Sequence, residues 1–277
     1  MSRALQGEWL ALHKISTLAL RVYLEHPHDL PIQALGRSDD SCHRPRHHLV
    51  RRCVGVHKRT VPDAIFFDVD GVLIDSLDIK GEAFARVFSE FPERHDEILA
   101  FHSDHGGVTR SEKVGQIFET VFGRAPTAAE VDARVRVFAA AVIDAVIGAP
   151  EIRGASQALA QWSACAPLHA VSATPTDELD HIFAQRGLTR FFASVHGWPP
   201  RKTETVKVLL DAHGYEPGRC VLVGDSREDL DAAKPAGVRF VQVSRSTECD
   251  FIDSDWVIRD LISLSDAIES VLRLPKQ

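Results

Sequence analysis

The sequence predicts an α/β fold in which helices cover both faces of a parallel β-sheet. Short apolar runs alternate along the chain with segments whose apolar residues repeat at helical spacing. The short runs are apolar at every position, which is typical of strands buried on both faces of a parallel sheet. Residues 77–150 show helical periodicity and no strand pattern. We therefore predict a sheet core with an inserted all-helical segment.

The predicted elements follow the chain in a simple order. Strands are predicted at 64–67, 168–171, 192–195, 220–223, 238–243 and 256–258. Helical spacing in the inserted segment appears in three groups of apolar residues: Phe84, Val87, Phe88 and Phe91; Val114, Ile117, Phe118, Val121 and Phe122; and Val135, Phe138, Val142 and Val146. The predicted organisation is a core formed by 62–76 and 151–277, with the helical segment 77–150 between its two parts.

Residues 1–61 form a predicted basic extension of largely irregular structure. The chain has 277 residues and a formal net charge of -7, yet residues 1–60 contain ten Lys and Arg against five Asp and Glu. Between 26 and 60 the sequence is polar, interrupted by Pro and Gly, and without a hydrophobic period. Its His and Cys residues lack the paired spacing of a zinc module, and no aromatic side chains interleave its basic residues. We expect a solvated extension rather than a zinc site or a nucleic-acid partner.

The cysteine count and the length of the apolar runs predict a reduced, cytoplasmic protein. The five cysteines are an odd number, widely spaced in a chain long enough to bury a core without disulfide bonds. No apolar run reaches the ~20 residues of a membrane-spanning helix. Residues 1–24 also lack the continuous apolar core of a secretory signal. We therefore expect no membrane partner, and the sequence leaves the oligomeric state open.

The first candidate site is Asp68-Val69-Asp70-Gly71, directly after the first predicted strand. In an open parallel sheet, ligands bind beyond the carboxyl ends of the strands. Residues two apart point to the same side of a strand, so we expect Asp68 and Asp70 to project together, while Gly71 permits a sharp turn. Two close carboxylates repel each other unless they share a cation or a proton. An acidic turn that caps the next helix is the alternative interpretation.

A second acidic cluster, Gly224-Asp225-Ser226-Arg227-Glu228-Asp229, follows the strand predicted at 220–223. Capping of the next helix by Asp225 or Ser226 would explain one of its carboxylates. Capping does not explain why two separate strands both end in acidic residues. Asp68, Asp70 and Asp225 together offer the oxygen ligands that Mg²⁺ prefers. The sequence therefore predicts a Mg²⁺ site.

Two further strand ends carry groups that can bind a phosphate. Ser172 and Ala173 precede a helix predicted to start at Pro175 or Thr176, where backbone N–H groups can bind an anion. Lys202 supplies a cation after the third predicted strand. Each feature has an ordinary alternative, a routine helix start for the first and a solvated surface charge for the second.

Taken in this order, the four segments resemble the motifs of the haloacid dehalogenase superfamily over about residues 62–272. The segment 67–76 resembles the first motif, Ser172 the second, Lys202 the third and the segment 224–229 the fourth. The resemblance implies a Rossmann-like core. The inserted helices resemble the α-helical cap of the subgroup that contains phosphoglycolate phosphatases and β-phosphoglucomutases.

The resemblance implies a Mg²⁺-dependent phosphatase that acts on a small phosphorylated substrate through an aspartyl-phosphate intermediate. Asp68 would be the nucleophile, and Asp70 would be first a general acid and then a general base. Mg²⁺ would bind the Asp68 and Asp225 carboxylates and the Asp70 backbone carbonyl, with Asp229 orienting these ligands. Three further groups would bind the transferring phosphate: Ser172, Ala173 and Lys202.

Three features bear on the substrate. Asp70 favours phosphoester over carbon–halogen chemistry, because a leaving halide needs no proton. Arg110, after the segment 102–109, resembles a cap residue that contacts a second anionic group of the substrate; a helix start with Thr109 or Ser111 as N-cap is the alternative. The segment 197–201 before Lys202 departs from the pattern of phosphoglycolate phosphatases, which disfavours that substrate.

Two other functions remain open at this stage. A phosphomutase of the β-phosphoglucomutase type is the alternative enzyme. A catalytically silent binding protein that uses the basic extension is the alternative of another class, and the intact acidic set argues against it. The leading expectation is a phosphatase for a sugar phosphate or a phospho-acid.

Overall fold

A computed structural model describes residues 61–106, 108–245 and 253–275. Six strands in these ranges form one parallel sheet in the order β3-β2-β1-β4-β5-β6. They are β1 (Ala64–Phe67), β2 (Leu168–Pro175), β3 (Ser194–Trp198), β4 (Cys220–Gly224), β5 (Arg239–Val243) and β6 (Trp256–Ile258). The predicted α/β fold with a Rossmann-like sheet is confirmed. The predictions for residues 1–60 and for Gly107 lie outside the described residues.

Nine α-helices lie in the described ranges. They are α1 (Leu77–Val87), α2 (His95–Asp104), α3 (Arg110–Thr120), α4 (Ala128–Gly148), α5 (Ala155–Ser163), α6 (Thr176–Arg186), α7 (Lys202–His213), α8 (Arg227–Ala233) and α9 (Leu264–Arg273). Helices α1–α5 fall between β1 and β2 in the chain, the first four of them within 77–150, and no strand is described there. This agrees with the all-helical pattern of the sequence.

Both faces of the sheet are buried, which explains why its strands are apolar at every position. In β1, Ile65 and Phe67 belong to one hydrophobic core. The alternate residues Ala64 and Phe66 belong to a second core on the opposite face. All four side chains are fully buried. The central position of β1, between β2 and β4, follows from this two-sided burial.

Two strands differ from their predicted bounds by more than one residue. β2 continues four residues beyond the predicted end at 171, because Ser172 and Thr174 extend the strand until Pro175 pairs with Trp198 of β3. β3 begins at Ser194, two residues later than predicted, after a short 3₁₀ turn at Thr189–Phe191. Polar side chains at the end of β2 therefore belong to the sheet itself.

Aromatic side chains pack helices α1–α4 together. The rings of Phe84 on α1 and Phe138 on α4 lie 4.4 Å apart between centroids. Phe91 and Phe122 lie beyond the ends of α1 and α3, yet their ring centroids are 4.7 Å apart. The periodicity therefore identified residues that pack together but extended both helices too far.

The described residues also bear on the membrane and cysteine predictions. Among the helices in residues 61–106, 108–245 and 253–275, none combines the length and apolarity needed to span a bilayer. Cys220 is a buried free thiol, and burial raises its pKa to about 12. Cys165 is disulfide-bonded, which the prediction of reduced thiols did not include. The other three cysteines lie outside the described residues.

Candidate active site

The carboxyl ends of β1 and β4 bring two predicted acidic clusters together. The two strands are parallel neighbours, with Phe67 paired to Val223, and the Asp68 N–H donates to the Val223 carbonyl at 2.9 Å. Asp68 therefore starts where β1 ends, beside the end of β4. Carboxylate oxygens of Asp68, Asp225 and Asp229 all lie within 4.8 Å of one another. The expected meeting of acids from two strand ends occurs.

Gly71 allows the chain after Asp70 to turn close to Asp225. It has a φ of +76°, in the left-handed region that favours glycine. A Cβ atom at this position would lie only 2.1 Å from Asp225 Oδ2. A side chain at residue 71 would therefore displace a carboxylate of the acidic cluster.

Lys202 joins Asp68 to Asp229 inside the protein. Its Nζ atom lies 2.9 Å from Asp68 Oδ2 and 2.7 Å from Asp229 Oδ1, and all three residues are buried. Asp229 Oδ2 also accepts hydrogen bonds from the Ser226 N–H at 3.0 Å and hydroxyl at 2.6 Å. Asp229 thus caps α8 and orients Lys202, and the ordinary interpretation of Lys202 as a solvated charge is wrong.

The charges of this cluster are strongly coupled. Burial, followed by repulsion from Asp229, raises the pKa of Asp68 from 3.8 to about 7. Burial and then Asp68 raise the pKa of Asp225 well above its usual value. Burial alone would lower the pKa of Lys202, but Asp229 and Asp68 raise it above its ordinary range. One ammonium is therefore not enough to balance three neighbouring carboxyl groups, two of them buried.

The donor set fits Mg²⁺. In the described ranges, no hydrogen bond or ion pair involves the Asp225 carboxylate, although Asp68 and Asp229 share Lys202. A hard divalent cation prefers carboxylate and carbonyl oxygens, and it would relieve the repulsion that raises the pKa of Asp68 and Asp225. Asp68 and Asp225 are the side chains best suited to hold it.

Asp70 stands apart from this cluster, in a network of its own. Its Oδ1 accepts a hydrogen bond from the Ser76 hydroxyl at 2.6 Å. Its Oδ2 accepts from Lys80 Nζ and from the Thr174 hydroxyl, the latter at 3.2 Å. Burial alone would raise the pKa of Asp70, but Lys80, Ser76 and Thr174 outweigh burial and hold it below its usual value. The two acids of the first motif therefore occupy different electrostatic environments.

The end of β2 presents Ala173 and Thr174 to the same pocket. Ser172 is buried, and its hydroxyl accepts a hydrogen bond from the Thr174 N–H at 3.1 Å. Helix α6 begins directly afterwards at Thr176, as expected. Ser172 therefore stabilises the end of β2 that presents Ala173 and Thr174 to the pocket.

Arg110 starts α3 and faces the pocket with its guanidinium already engaged. It donates two hydrogen bonds to the Glu178 carboxylate on α6, at 2.8 and 2.7 Å, and it lies 4.7 Å from the Phe138 ring centroid. Thr109 is the N-cap residue of α3, and its hydroxyl donates to Glu112 at 2.8 Å. The helix start with Thr109 as N-cap is therefore confirmed, whereas contact of Arg110 with a substrate anion stays a prediction.

Most of the side chains described above line a single pocket. The empty space between its walls is about 600 Å³, part of which is open solvent. Its lining residues come from the strand ends and the helical insertion: Asp68, Asp70, Leu77, Lys80, Phe84, His102, Gly106, Val108, Arg110, Lys113, Phe138, Ala173, Thr174, Lys202 and Asp225.

Lys80 and Glu178 are not among the site residues predicted from the sequence. Lys80 lies one helical turn after Ser76, the spacing at which two side chains can contact the same group, so a signal was available. Glu178 has the ordinary sequence signature of an acidic residue in the first turn of a helix. Its contact with Arg110 depends on how α3 packs against α6, which no local pattern records.

Comparisons with known proteins agree with this geometry. The family of haloacid dehalogenase-like hydrolases matches residues 62–237. A phosphoglycolate phosphatase from Mesorhizobium japonicum is 29% identical over 195 residues, which cover 65% of this chain and 81% of that protein.

Two solved structures have the same fold. A haloacid dehalogenase-like hydrolase from Streptococcus pneumoniae has a TM-score of 0.59 at 17% identity, covering 75% of this chain and 98% of that one. CbbY from Rhodobacter sphaeroides, in complex with xylulose 1,5-bisphosphate, has a TM-score of 0.59 at 18% identity, covering 73% and 96%. The predicted resemblance and the prediction of a hydrolytic enzyme are confirmed. The chain belongs to the haloacid dehalogenase-like hydrolases.

Proposed function

We propose that this hydrolase is a Mg²⁺-dependent phosphatase for a small phosphorylated metabolite, a sugar phosphate or a phospho-acid. The proposal rests on one observation: Asp68 lies beside Asp225 and forms an ion pair with Lys202 at one edge of the sheet. Asp70 lines the same pocket. A phosphate monoester needs a nucleophile, a source of positive charge and a proton donor for the leaving oxygen. These three requirements correspond to three different groups of this pocket.

Asp68 is the proposed nucleophile. A carboxylate oxygen of Asp68 attacks phosphorus as the bond from phosphorus to the substrate oxygen breaks, which leaves an aspartyl phosphate. Lys202 orients Asp68 and places a positive charge beside the phosphate oxygens. Ala173 lines the same pocket, and its N–H is the proposed backbone donor to the phosphate oxygens, since the Thr174 N–H already donates to the Ser172 hydroxyl. The Asp68 and Asp225 carboxylates and the Asp70 backbone carbonyl would hold Mg²⁺, which when bound would neutralise charge between the carboxylate and the phosphate.

Asp70 is the proposed general acid and base. It gives a proton to the departing alkoxide, and it later accepts a proton from the water that attacks the aspartyl phosphate. The products are an alcohol, inorganic phosphate and regenerated Asp68. Ser76, Lys80 and Thr174 fix the position of the Asp70 carboxyl group. When the substrate binds, its phosphate places negative charge near the Asp70 carboxyl group. This charge raises the pKa of Asp70, so that the group can carry the proton that a general acid donates.

The helical segment 77–150 is the proposed cap over a core formed by 62–76 and 151–277. It supplies pocket residues of two kinds, the cations Lys80, Arg110 and Lys113 and the aromatic residues Phe84 and Phe138. The cap therefore contributes both charge and an apolar wall, and it limits the substrate to a small molecule.

The test is hydrolysis of p-nitrophenyl phosphate and a panel of sugar phosphates and phospho-acids, with Mg²⁺ and then with chelator. We expect Asp68→Asn to abolish phosphate release. Asp231→Asn, which removes an exposed carboxylate on α8, is the matched control and should retain activity. Turnover that survives Asp68→Asn would falsify the proposal.

The same assay separates the alternative functions. A phosphomutase would form an isomer of the sugar phosphate instead of free phosphate, and it would depend on an activating bisphosphate. A silent binding protein would give no turnover on any phosphoester. The phosphoglycolate phosphatase among the relatives makes phosphoglycolate a required member of the panel, although segment 197–201 disfavours it.

A further inference from the structure

The segment 197–201, which departs from the pattern of phosphoglycolate phosphatases, contacts the helical insertion. Its last residue, Arg201, is the N-cap residue of α7 and directly precedes Lys202. A terminal nitrogen of Arg201 donates a hydrogen bond to Glu112 Oε1 in the first turn of α3. The two side chains form an ion pair between residues that lie 89 positions apart in the sequence. Arg201 therefore connects the segment that precedes Lys202 to the proposed cap.

The Glu112 carboxylate is oriented by its own helix. Its Oε2 atom accepts a hydrogen bond from the hydroxyl of Thr109, the buried N-cap residue of α3, at 2.8 Å. Its other oxygen accepts the hydrogen bond from Arg201. Because Glu112 is already held in place, its pairing with Arg201 loses less side-chain entropy than the pairing of two free surface charges. The contact is therefore favoured over an ordinary surface ion pair.

A second ion pair connects the same turn of α3 to α6 with the opposite polarity. In this pair Arg110 of the insertion donates to Glu178 of α6, whereas in the first pair the insertion supplies the carboxylate. A rotation of α3 that exchanged the two contacts would bring the two arginines together and the two glutamates together. Like charges would then meet at both contacts, so the two pairs together specify one orientation of α3.

The two pairs differ in their exposure to solvent. The Arg110 and Glu178 side chains are 9% and 19% exposed, whereas those of Arg201 and Glu112 are 56% and 36% exposed. An exposed pair contributes little to the free energy of unfolding and is screened by salt. The pair of Arg201 and Glu112 can therefore affect the position of α3 without being required for folding.

The turn that these pairs hold forms part of the pocket wall. Arg110 and Lys113 of α3 line the pocket, and Lys113 Nζ lies 3.2 Å from His102 Nδ1 on α2. A displacement of the first turn of α3 therefore moves two cationic side chains of the pocket.

We propose that Arg201 is a positioning residue for the helical insertion. Its ion pair with Glu112 holds the first turn of α3 at the pocket, and loss of the pair lowers the fraction of molecules in which this turn is docked against α6 and α7. The effect on α3 rests on the contacts alone. A further effect, weaker binding of the substrate, rests on the proposed phosphatase function, because the apparent affinity falls with the fraction of molecules that are competent to bind.

Hydrogen–deuterium exchange of the full chain tests the effect on α3 without a substrate. We expect the amides of α3 to exchange about two- to fivefold faster in Arg201→Gln than in the wild type, the range of an exposed ion pair. Arg201→Lys, which keeps the charge, should stay close to the wild type. Arg273→Gln is the matched control, because it removes an exposed arginine whose partner Glu269 lies on the same helix, α9. Wild-type exchange of α3 in Arg201→Gln overturns the proposal.

Two further measurements separate the charge of the pair from the packing of the arginine side chain. Glu112→Gln should accelerate the exchange of α3 by at least as much as Arg201→Gln, and the double variant should exchange no faster than Glu112→Gln alone. In about 1 M NaCl, where the screening length is about 3 Å, the wild type and Arg201→Gln should exchange alike. Additive effects in the double variant, or a difference that persists in high salt, overturn the assignment to the ion pair.

Kinetics with p-nitrophenyl phosphate and Mg²⁺ test the effect on the substrate. Arg201→Gln should raise KM, by at most the factor found in the exchange, and leave kcat close to the wild-type value, because the competent fraction changes by no more than the docking equilibrium does. An unchanged KM or a lower kcat overturns the effect on the substrate. Absence of turnover in the wild type on every phosphoester overturns the proposed function, and the exchange of α3 then decides the role of Arg201 by itself.

Discussion

The Arg110 guanidinium donates two hydrogen bonds to the Glu178 carboxylate and connects the helical insertion to the first turn of α6. The two hydrogen bonds measure 2.8 and 2.7 Å, and the side chains are 9% and 19% exposed. Because α6 follows directly from β2, the pair fixes α3 relative to the strand end that presents Ala173 and Thr174. The position of Lys113, one turn further along α3, depends on the same contact.

Removal of either partner of this pair should destabilise the fold. We expect Arg110→Gln and Glu178→Gln each to lower the free energy of unfolding by about 1–3 kcal/mol, because each leaves a charge with reduced access to water. The double variant should lose less than the two single losses added together. Urea unfolding of the four proteins measures this coupling. The exposed pair Arg227–Asp231 is the control, and equal coupling in both pairs would contradict the prediction.

Lys202→Met should be more damaging, because it leaves Asp68 and Asp229 buried without their shared cation. Loss of one member of a buried ion pair costs about 3–5 kcal/mol, and we expect a loss of that size in denaturant unfolding, together with loss of phosphate release. Lys207→Met serves as the control at an exposed position of the same helix. A loss of less than about 1 kcal/mol would show that the buried carboxylates find compensation elsewhere.

Stabilisation by Mg²⁺ should increase with pH. Burial and Asp229 raise the pKa of Asp68 from 3.8 to about 7 in the folded protein, so the folded state binds this proton more tightly than the unfolded chain does. Ionisation of Asp68 therefore lowers the free energy of unfolding. This loss is absent below pH 3.8, grows as the pH rises and is complete above about pH 7. Mg²⁺ replaces the proton and removes this loss. Thermal unfolding with Mg²⁺ and with chelator should therefore show a larger shift at pH 8 than at pH 5, and equal shifts would contradict the assignment.

Gly71→Ala should weaken the proposed Mg²⁺ site. The new Cβ would lie 2.1 Å from Asp225 Oδ2, so the carboxylate must move away from Asp68. We expect a higher Mg²⁺ concentration for half-maximal activity. Gly123→Ala is a matched control, because Gly123 has a similar positive φ of +67° but nothing within 4 Å of the new atom. If the two variants need the same Mg²⁺ concentration for half-maximal activity, the contact with Asp225 does not weaken the site, and any change they share with respect to the wild type comes from backbone strain.

The sequence predicts the acidic part of the pocket better than the part formed by the cap. Asp68 and Asp225 are predictable because each follows a buried strand, and the two strands are parallel neighbours. The carboxyl ends of parallel strands lie at the same edge of a sheet. The partners of Arg110 and Lys113 are not predictable in this way. Their contacts with Glu178 and His102 join helices whose relative rotation depends on side-chain packing far from both residues.

The order of the strands also determines when during synthesis the chemistry can arise. β1 carries Asp68, but its two neighbours in the sheet are β2 and β4, which come from much later in the chain. A growing chain that has not yet reached Asp225 lacks both that carboxylate and the Asp229 carboxylate that orients Lys202. The contacts of Asp68 with Lys202 and of Asp70 with Thr174 join distant parts of the sequence, so the chain must close large loops before the acidic site is complete. We therefore expect Mg²⁺ to bind only a chain whose sheet has formed through β4.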